Sequence, residues 1–354
     1  MERISVFDML KIGVGPSSSH TLGPWRAAER WINELKASNE FNQIISISVD
    51  LYGSLSLTGK GHATDLAILL GLSGADPEYV PIEDIQGIID NIKETNTLDF
   101  NGERAIVFNT NQIKFNKEFL PFHPNGLIFT GVTLSGNHIK STFYSIGGGF
   151  ISKEEDSDKN DNIKKEEFPF PVQQSKELLD YCTQEGKIIS EIVLENEKIT
   201  RSNKEIDREL LRLWQTMQEC IYIGCHSEGF LPGGLNVRRR AFDLHKKLKK
   251  NFDYDTPENW MQSIRKTEVK FREILKWVDC FALAVNEVNA ALGRIVTAPT
   301  NGSAGVIPSV LMYYLTIENH DADFKHIKQF LLVAGEIGSL FKKNATISAA
   351  MGGC

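Results

Sequence analysis

The sequence predicts an α+β N-terminal domain followed by an all-α helical domain, and three observations carry that prediction. Residues 44–52 (IISISVDLY), 127–134 (LIFTGVTL) and 139–146 (IKSTFYSI) are rich in β-branched or aromatic side chains, and the first alternates apolar with polar, as half-buried strands do. Residues 152–167 (SKEEDSDKNDNIKKEE) are almost wholly polar and lead into Phe168-Pro169-Phe170-Pro171, the composition of a solvated linker. Beyond it the apolar period is helical nearly to the last residue. A chain of 354 residues exceeds what one hydrophobic core usually serves. The expected boundaries are 1–151 for the first domain, 152–171 for the linker and 172–354 for the second.

Taken in order, Pro24–Lys36 and Ala63–Leu72 read as helices, each entered from a Gly/Ser/Thr-rich stretch suited to capping. The strands 127–134 and 139–146 flank Ser135-Gly136-Asn137-His138, a short hairpin loop containing glycine. In the second domain Ile206, Leu210, Leu213, Met217 and Ile221 recur on one helix face, and Ile264, Phe271, Leu275 and Val278 are expected to form another. Thr256-Pro257 suits the N-cap and first turn of the latter, and Gly293 its stop.

Composition excludes several classes. Hydrophobic residues at 41% and charged residues at 24% describe a folding globular chain. A net charge of -7 supplies no overall positive field for nucleic acid or anionic lipid, and the lysines at 246, 247, 249 and 250 suit a helix C-terminus. Glu2 and Asp8 precede any apolar run, and no stretch approaches ~20 apolar residues, so neither an export signal nor a membrane span is expected. Five cysteines are too few and too irregular for a disulfide framework, which fits a reducing cytoplasm. Oligomeric state stays open, a homodimer being the commonest outcome.

Four segments crowd polar side chains against glycine and proline. Ser17, Ser18, Ser19, His20 and Thr21 follow Gly15-Pro16 just before a helix opening, where free N–H groups and hydroxyls seat an anion; a generous N-cap loop is the plainer reading. Thr58-Gly59-Lys60-Gly61-His62 fails as a P-loop, since Ser54 stands at the leading glycine and Gly61 at the magnesium-binding hydroxyl. There His62 suits either a general base or a loop cap. Glu228–Leu235 with Arg238, Arg239 and Arg240 offers carboxylate clamps or, more often in such surfaces, a structured turn. Thr297-Ala298-Pro299-Thr300-Asn301-Gly302-Ser303 offers hydroxyl and amide donors at a helix entrance, or redundant caps. Cys220 and Cys225 lie roughly 140° apart on a helix and read as core residues.

Together GPSSSHTLGPWRAA, TGKGHATD, YSIGGGF, EGFLPGGLNVRRRA, RIVTAPTNGSAGVIPSVL and KNATISAAMGGC resemble, in order and spacing, the single-chain iron–sulfur L-serine dehydratases of bacteria. The resemblance implies conversion of L-serine to pyruvate and ammonia. The β-hydroxyl leaves as water through an open iron of a 4Fe–4S cluster, because unaided expulsion of hydroxide, conjugate acid pKa about 15.7, is very slow. No pyridoxal phosphate is expected. Carried over, Ser17–Thr21, Thr58, Gly59, Thr297, Thr300, Asn301 and Gly302 become the substrate cradle, His62 the base and His20 its partner in orientation or proton transfer. Arg239 and Arg240 shape the pocket, and Cys354 matches the first cluster-ligating cysteine. The family continues past that cysteine with its remaining ligands, and Cys182, Cys220, Cys225 and Cys280 do not match them. The expectation is thus a partial chain, a dehydratase by descent without activity in its 354-residue form. Its rivals are an amino-acid-binding regulatory module and a half-enzyme completed by a partner chain.

Overall fold

The computed structural model describes residues 3–154, 167–249 and 253–345. They form two compact units, residues 13–154 in one and residues 3–12 with 167–345 in the other. The chain opens on a one-turn helix, α1 (Val6–Met9), capped by Ser5, and a short strand, β1 (Ile12–Val14).

The N-terminal unit runs α2 (Gly23–Ala37), β2 (Ile44–Leu51), α3 (Gly53–Leu57), α4 (Thr64–Leu72), α5 (Ile82–Thr95), a hairpin of β3 (Thr97–Phe100) and β4 (Arg104–Val107), then β5 (Ile113–Phe115), β6 (Gly126–Thr133), β7 (His138–Ser145) and β8 (Ile151–Lys153). Five strands make one sheet in the order β5-β2-β6-β7-β8, parallel only between β2 and β5. Alternation decides which face is buried: Ile47, Val49 and Leu51 of β2 point inward with Leu127 and Phe129 of β6 and Phe143 of β7. Register pairs Val49 with Phe129 and Leu127 with Phe143. Helix α2 covers this face, its Trp31 stacking on Phe129 at 5.1 Å between ring centroids. The expected strands and helices of this half lie within a residue or two of these elements. At the predicted linker the structure differs, because β8 carries the sheet through Lys153, whose ammonium pairs with Glu34 at 3.0 Å. Residues 155–166 of that linker lie outside the described residues.

The second unit is built from α6 (Ser175–Glu185), α7 (Ile189–Glu197), α8 (Asn203–His226), α9 (Ala241–Leu248), α10 (Pro257–Arg265), α11 (Phe271–Ala290), β9 (Arg294–Val296), α12 (Val306–Tyr313) and α13 (Phe324–Asn344). Helix α8 starts at a reciprocal cap between Ser202 and Glu205 and buries the expected face, Ile206 to Ile221. Helix α11 packs against α8, α9 and α12. Its approach to α8 requires Gly224, where a Cβ would meet the Ala284 carbonyl oxygen at 2.3 Å.

The stripe Ile264, Phe271, Leu275 and Val278 does not form. Helix α10 ends at Arg265, and α11 starts anew with Phe271 87% and Leu275 73% exposed. Counting the period across this break put α11 out of phase; its buried side is Trp277, Cys280, Phe281, Ala284 and Val288. Thr256 caps α10 as expected, and the Gly293 N–H donates to Val288 just past the end of α11.

Residues 3–12, expected in the first domain, pack within the helical unit. Val6 fills the space at Gly335 of α13, where a Cβ would lie 2.4 Å away, and the buried Glu197 carboxylate accepts from the Ser5 hydroxyl at 2.7 Å and the Val6 N–H at 2.8 Å. No helix among the described residues is long and apolar enough to cross a membrane.

Candidate active site

In the N-terminal unit the hydroxyl-rich segment tightens into a wide turn, Ser18–Leu22, directly ahead of α2. Ser17 caps it, its hydroxyl accepting from the His20 N–H at 3.1 Å. Ser145 of β7 donates to the Ser19 carbonyl at 2.6 Å, and Thr64 of α4 to the His20 carbonyl at 2.6 Å, so strand and helix fix the turn from either side. Gly23 is required here, because a Cβ would sit 2.0 Å from the Ser145 hydroxyl oxygen.

The turn brings His20 against the second segment. His20 Nδ1 lies 2.9 Å from the Ser19 hydroxyl and Nε2 3.0 Å from that of Ser54, in the first turn of α3. Burial, reinforced by the neighbouring His62 and opposed by the bond to Ser54, lowers the His20 pKa from 6.5 to about 4, so the ring is neutral at pH 7. His62 is half-buried, with its ring centroid 4.8 Å from that of His20. Its Nδ1 lies 3.0 Å from the Thr58 carbonyl oxygen. A carbonyl only accepts, so Nδ1 carries the hydrogen and the neutral ring keeps its lone pair on Nε2.

The threonines of these segments serve the backbone. Thr21 donates to the His62 carbonyl at 2.8 Å and accepts from the Ser17 N–H at 3.1 Å, tying the segments together. Thr58 donates to the Ser54 carbonyl, and Gly59 is buried beneath the turn. The Ser19 hydroxyl meets His20 Nδ1, and that of Ser17 lies 3.4 Å from the Ser19 hydroxyl.

In the helical unit Thr297 is fully buried, donating to the Met9 carbonyl at 3.0 Å and accepting from the Lys11 N–H at 3.1 Å. Its hydroxyl anchors the N-terminal segment. Thr300 lies 2.9 Å from the Ser303 hydroxyl, and Gly302 is exposed. Asn301 is 3% exposed; its Nδ2 donates to Asn289 Oδ1 at 3.1 Å, while its own Oδ1 is buried without a partner among the described residues.

The arginine segment folds back on itself, Leu231 N–H donating to Val237 and Arg239 N–H to Gly229. The Arg240 side chain is exposed, but its N–H and that of Ala241 donate to the buried Glu287 carboxylate, the first at 2.6 Å. Arg239 is half-buried, with Nη1 buried and unpartnered among the described residues. Sequence reasoning missed Ser54, Glu287 and Asn289. For the last two a signal existed: a carboxylate and an amide two residues apart at the end of α11, where the helix is expected to be buried. Cys354 lies outside the described residues.

The serine dehydratase beta chain family matches residues 5–156, and the serine dehydratase alpha chain family matches residues 184–354. An L-serine dehydratase of Haemophilus influenzae is 42% identical over 360 residues, covering 99% of this chain and 74% of that protein. L-serine dehydratase 1 of Escherichia coli is 42% identical over 354 residues with the same coverage, and an L-serine dehydratase of Helicobacter pylori is 34% identical over 358 residues, 100% of this chain and 75% of that protein. With both halves matched in order and this identity sustained end to end, the chain belongs to the L-serine dehydratase family.

Proposed function

We propose that the chain converts L-serine to pyruvate and ammonia, removing the β-hydroxyl as water before the amino group is lost. The observation that carries this reading is that two buried polar atoms of opposite kind have no partner among the described residues, Arg239 Nη1, a donor, and Asn301 Oδ1, an acceptor. An unpaired buried polar atom costs about 1–3 kcal/mol, a cost that a ligand removes by supplying the partner. An α-amino acid supplies both, a carboxylate that accepts and an ammonium that donates. Arg239 takes the first and Asn301 the second. His62 removes the α-proton at Nε2. His20 stays neutral beside it and holds the serine hydroxyls in place.

The described cysteines do not fit the 4Fe–4S cluster that the resemblance implies. Cys225 and Cys280 have sulfurs 3.8 Å apart, but both are fully buried in the helical core, and burial pushes the Cys225 and Cys220 thiols far above the usual range, against the thiolate a metal needs. Among the described residues no group of three His, Cys, Asp or Glu side chains is placed to hold a metal. Cys354 is the remaining cysteine, and we assign it as the candidate ligand.

Calorimetric titration tests the binding half of this reading without turnover. The chain binds L-serine, and Arg239→Leu weakens that binding about 10- to 100-fold through loss of a charged hydrogen bond. Absence of binding to the wild-type chain, or unchanged affinity in Arg239→Leu, contradicts it.

A further inference from the structure

A carboxamide side chain is nearly symmetric in shape. Its oxygen and its NH2 group exchange places on a half-turn about the last side-chain bond, and packing barely distinguishes them; hydrogen bonds do. Asn301 sits in a loop held rigidly around it. The Ser303 hydroxyl donates to the Ala298 and Thr300 carbonyls, and Gly305 lies so close to α11 that a Cβ would meet the Ala282 carbonyl oxygen at 2.8 Å. Among the described residues the Asn301 amide hydrogen-bonds to Asn289, in the last turn of α11 and 8% exposed. Asn289 Oδ1 accepts from Asn301 Nδ2 at 3.1 Å, which leaves Asn301 Oδ1 as the buried open acceptor.

We infer that Asn289 is a positioning residue that sets the polarity of the Asn301 amide, making this subsite accept an ammonium instead of donating to an anion. The inference rests on the reading that Asn301 meets the substrate ammonium. An ammonium only donates, so it requires the oxygen; with the amide turned over, two N–H groups face it and the subsite repels its own ligand. Removal of the Asn289 acceptor frees the amide to turn.

The test is calorimetric titration of the chain with L-serine and with glycerate, which carries a hydroxyl where serine carries the ammonium. A hydroxyl donates or accepts, so glycerate is indifferent to which end of the amide it meets. Asn289→Leu is expected to lower L-serine affinity about tenfold or more while glycerate affinity stays within about twofold. Asn289→Asp, whose carboxylate still accepts from Nδ2, is expected to retain the preference for L-serine. Equal weakening of both ligands by Asn289→Leu, or loss of the preference in Asn289→Asp, makes the residue merely structural and overturns the assignment. Asn301→Ala separates the two readings. If it weakens L-serine binding and Asn289→Leu does not, the role of Asn289 alone fails; if it leaves L-serine binding unchanged, the reading of Asn301 fails first.

Discussion

The rings of His20 and His62 lie 4.8 Å apart and are tilted by 36°, with both nitrogens of His20 and Nδ1 of His62 already engaged by Ser19, Ser54 and Thr58. Two imidazolium cations at this distance repel, and burial falls mainly on His20, so the deeper ring stays neutral. Among the described residues the one of these four nitrogens without a hydrogen-bond partner is His62 Nε2.

His62→Ala is expected to lower turnover of L-serine by about 10² to 10⁴ while leaving L-serine affinity within a few-fold, the signature of a lost base and not of a lost contact. Steady-state assays of pyruvate formation beside calorimetric titration check this. A near-normal rate removes His62 from the role.

Stability should carry the mark of His20. Its folded pKa of about 4 lies below the unfolded 6.5, so the unfolded chain binds the proton more readily. The associated stability is complete above pH 6.5 and is lost as pH falls from 6.5 toward 4, by about 3 kcal/mol at the acid end. Glu29, raised by burial to about 7, works in the opposite sense, losing its contribution as pH rises from 4.5 to 7. The measurement is therefore a difference: urea unfolding of His20→Asn against wild type from pH 7 to pH 4. The variant should lose less stability than wild type across that range, and parallel curves would contradict the shift.

Thr297→Val keeps the shape of a fully buried side chain but abolishes its bonds to the Met9 carbonyl and the Lys11 N–H. Denaturant unfolding should show a loss of about 1–3 kcal/mol, and limited proteolysis should cut more readily within residues 3–12. A stability equal to wild type with weakened L-serine binding would instead return Thr297 to the substrate cradle.

Glu287→Leu leaves the N–H groups of Arg240 and Ala241 buried against an apolar side chain. A loss of about 1–3 kcal/mol in unfolding free energy is expected, with faster hydrogen exchange at those two amides and a weaker grip on L-serine through the adjacent Arg239. Unchanged exchange at Arg240 would show that the carboxylate does not hold this turn.

Much of this was legible in the sequence. The two-residue period of 44–52 and the helical period from Ile206 to Ile221 are local signals, and the elements follow them because burial acts on the same residues. The turn from Ser17 to Thr21 stood out in the sequence by hydroxyls in excess of what a cap requires, and His62 by its place at a helix entrance. What stayed hidden depends on distance in sequence. Nothing near Thr297 hints that its hydroxyl is spent on Met9 and Lys11, nearly 300 residues earlier, and nothing near Asn301 names Asn289. The break between α10 and α11 was missed because five residues of ordinary composition, 266–270, interrupt a pattern that resumes out of phase. Val6 and Met9 formed too short an apolar run to reveal that they belong with α13.

The most direct measurement is turnover of L-serine by the protein after anaerobic reconstitution with iron and sulfide, following pyruvate and ammonia together in wild type and His62→Ala. Pyruvate and ammonia in equal amounts from the wild type, falling by about 10² or more in the variant, is the expected result. Absence of pyruvate from the wild type, or equal rates in both, would contradict it.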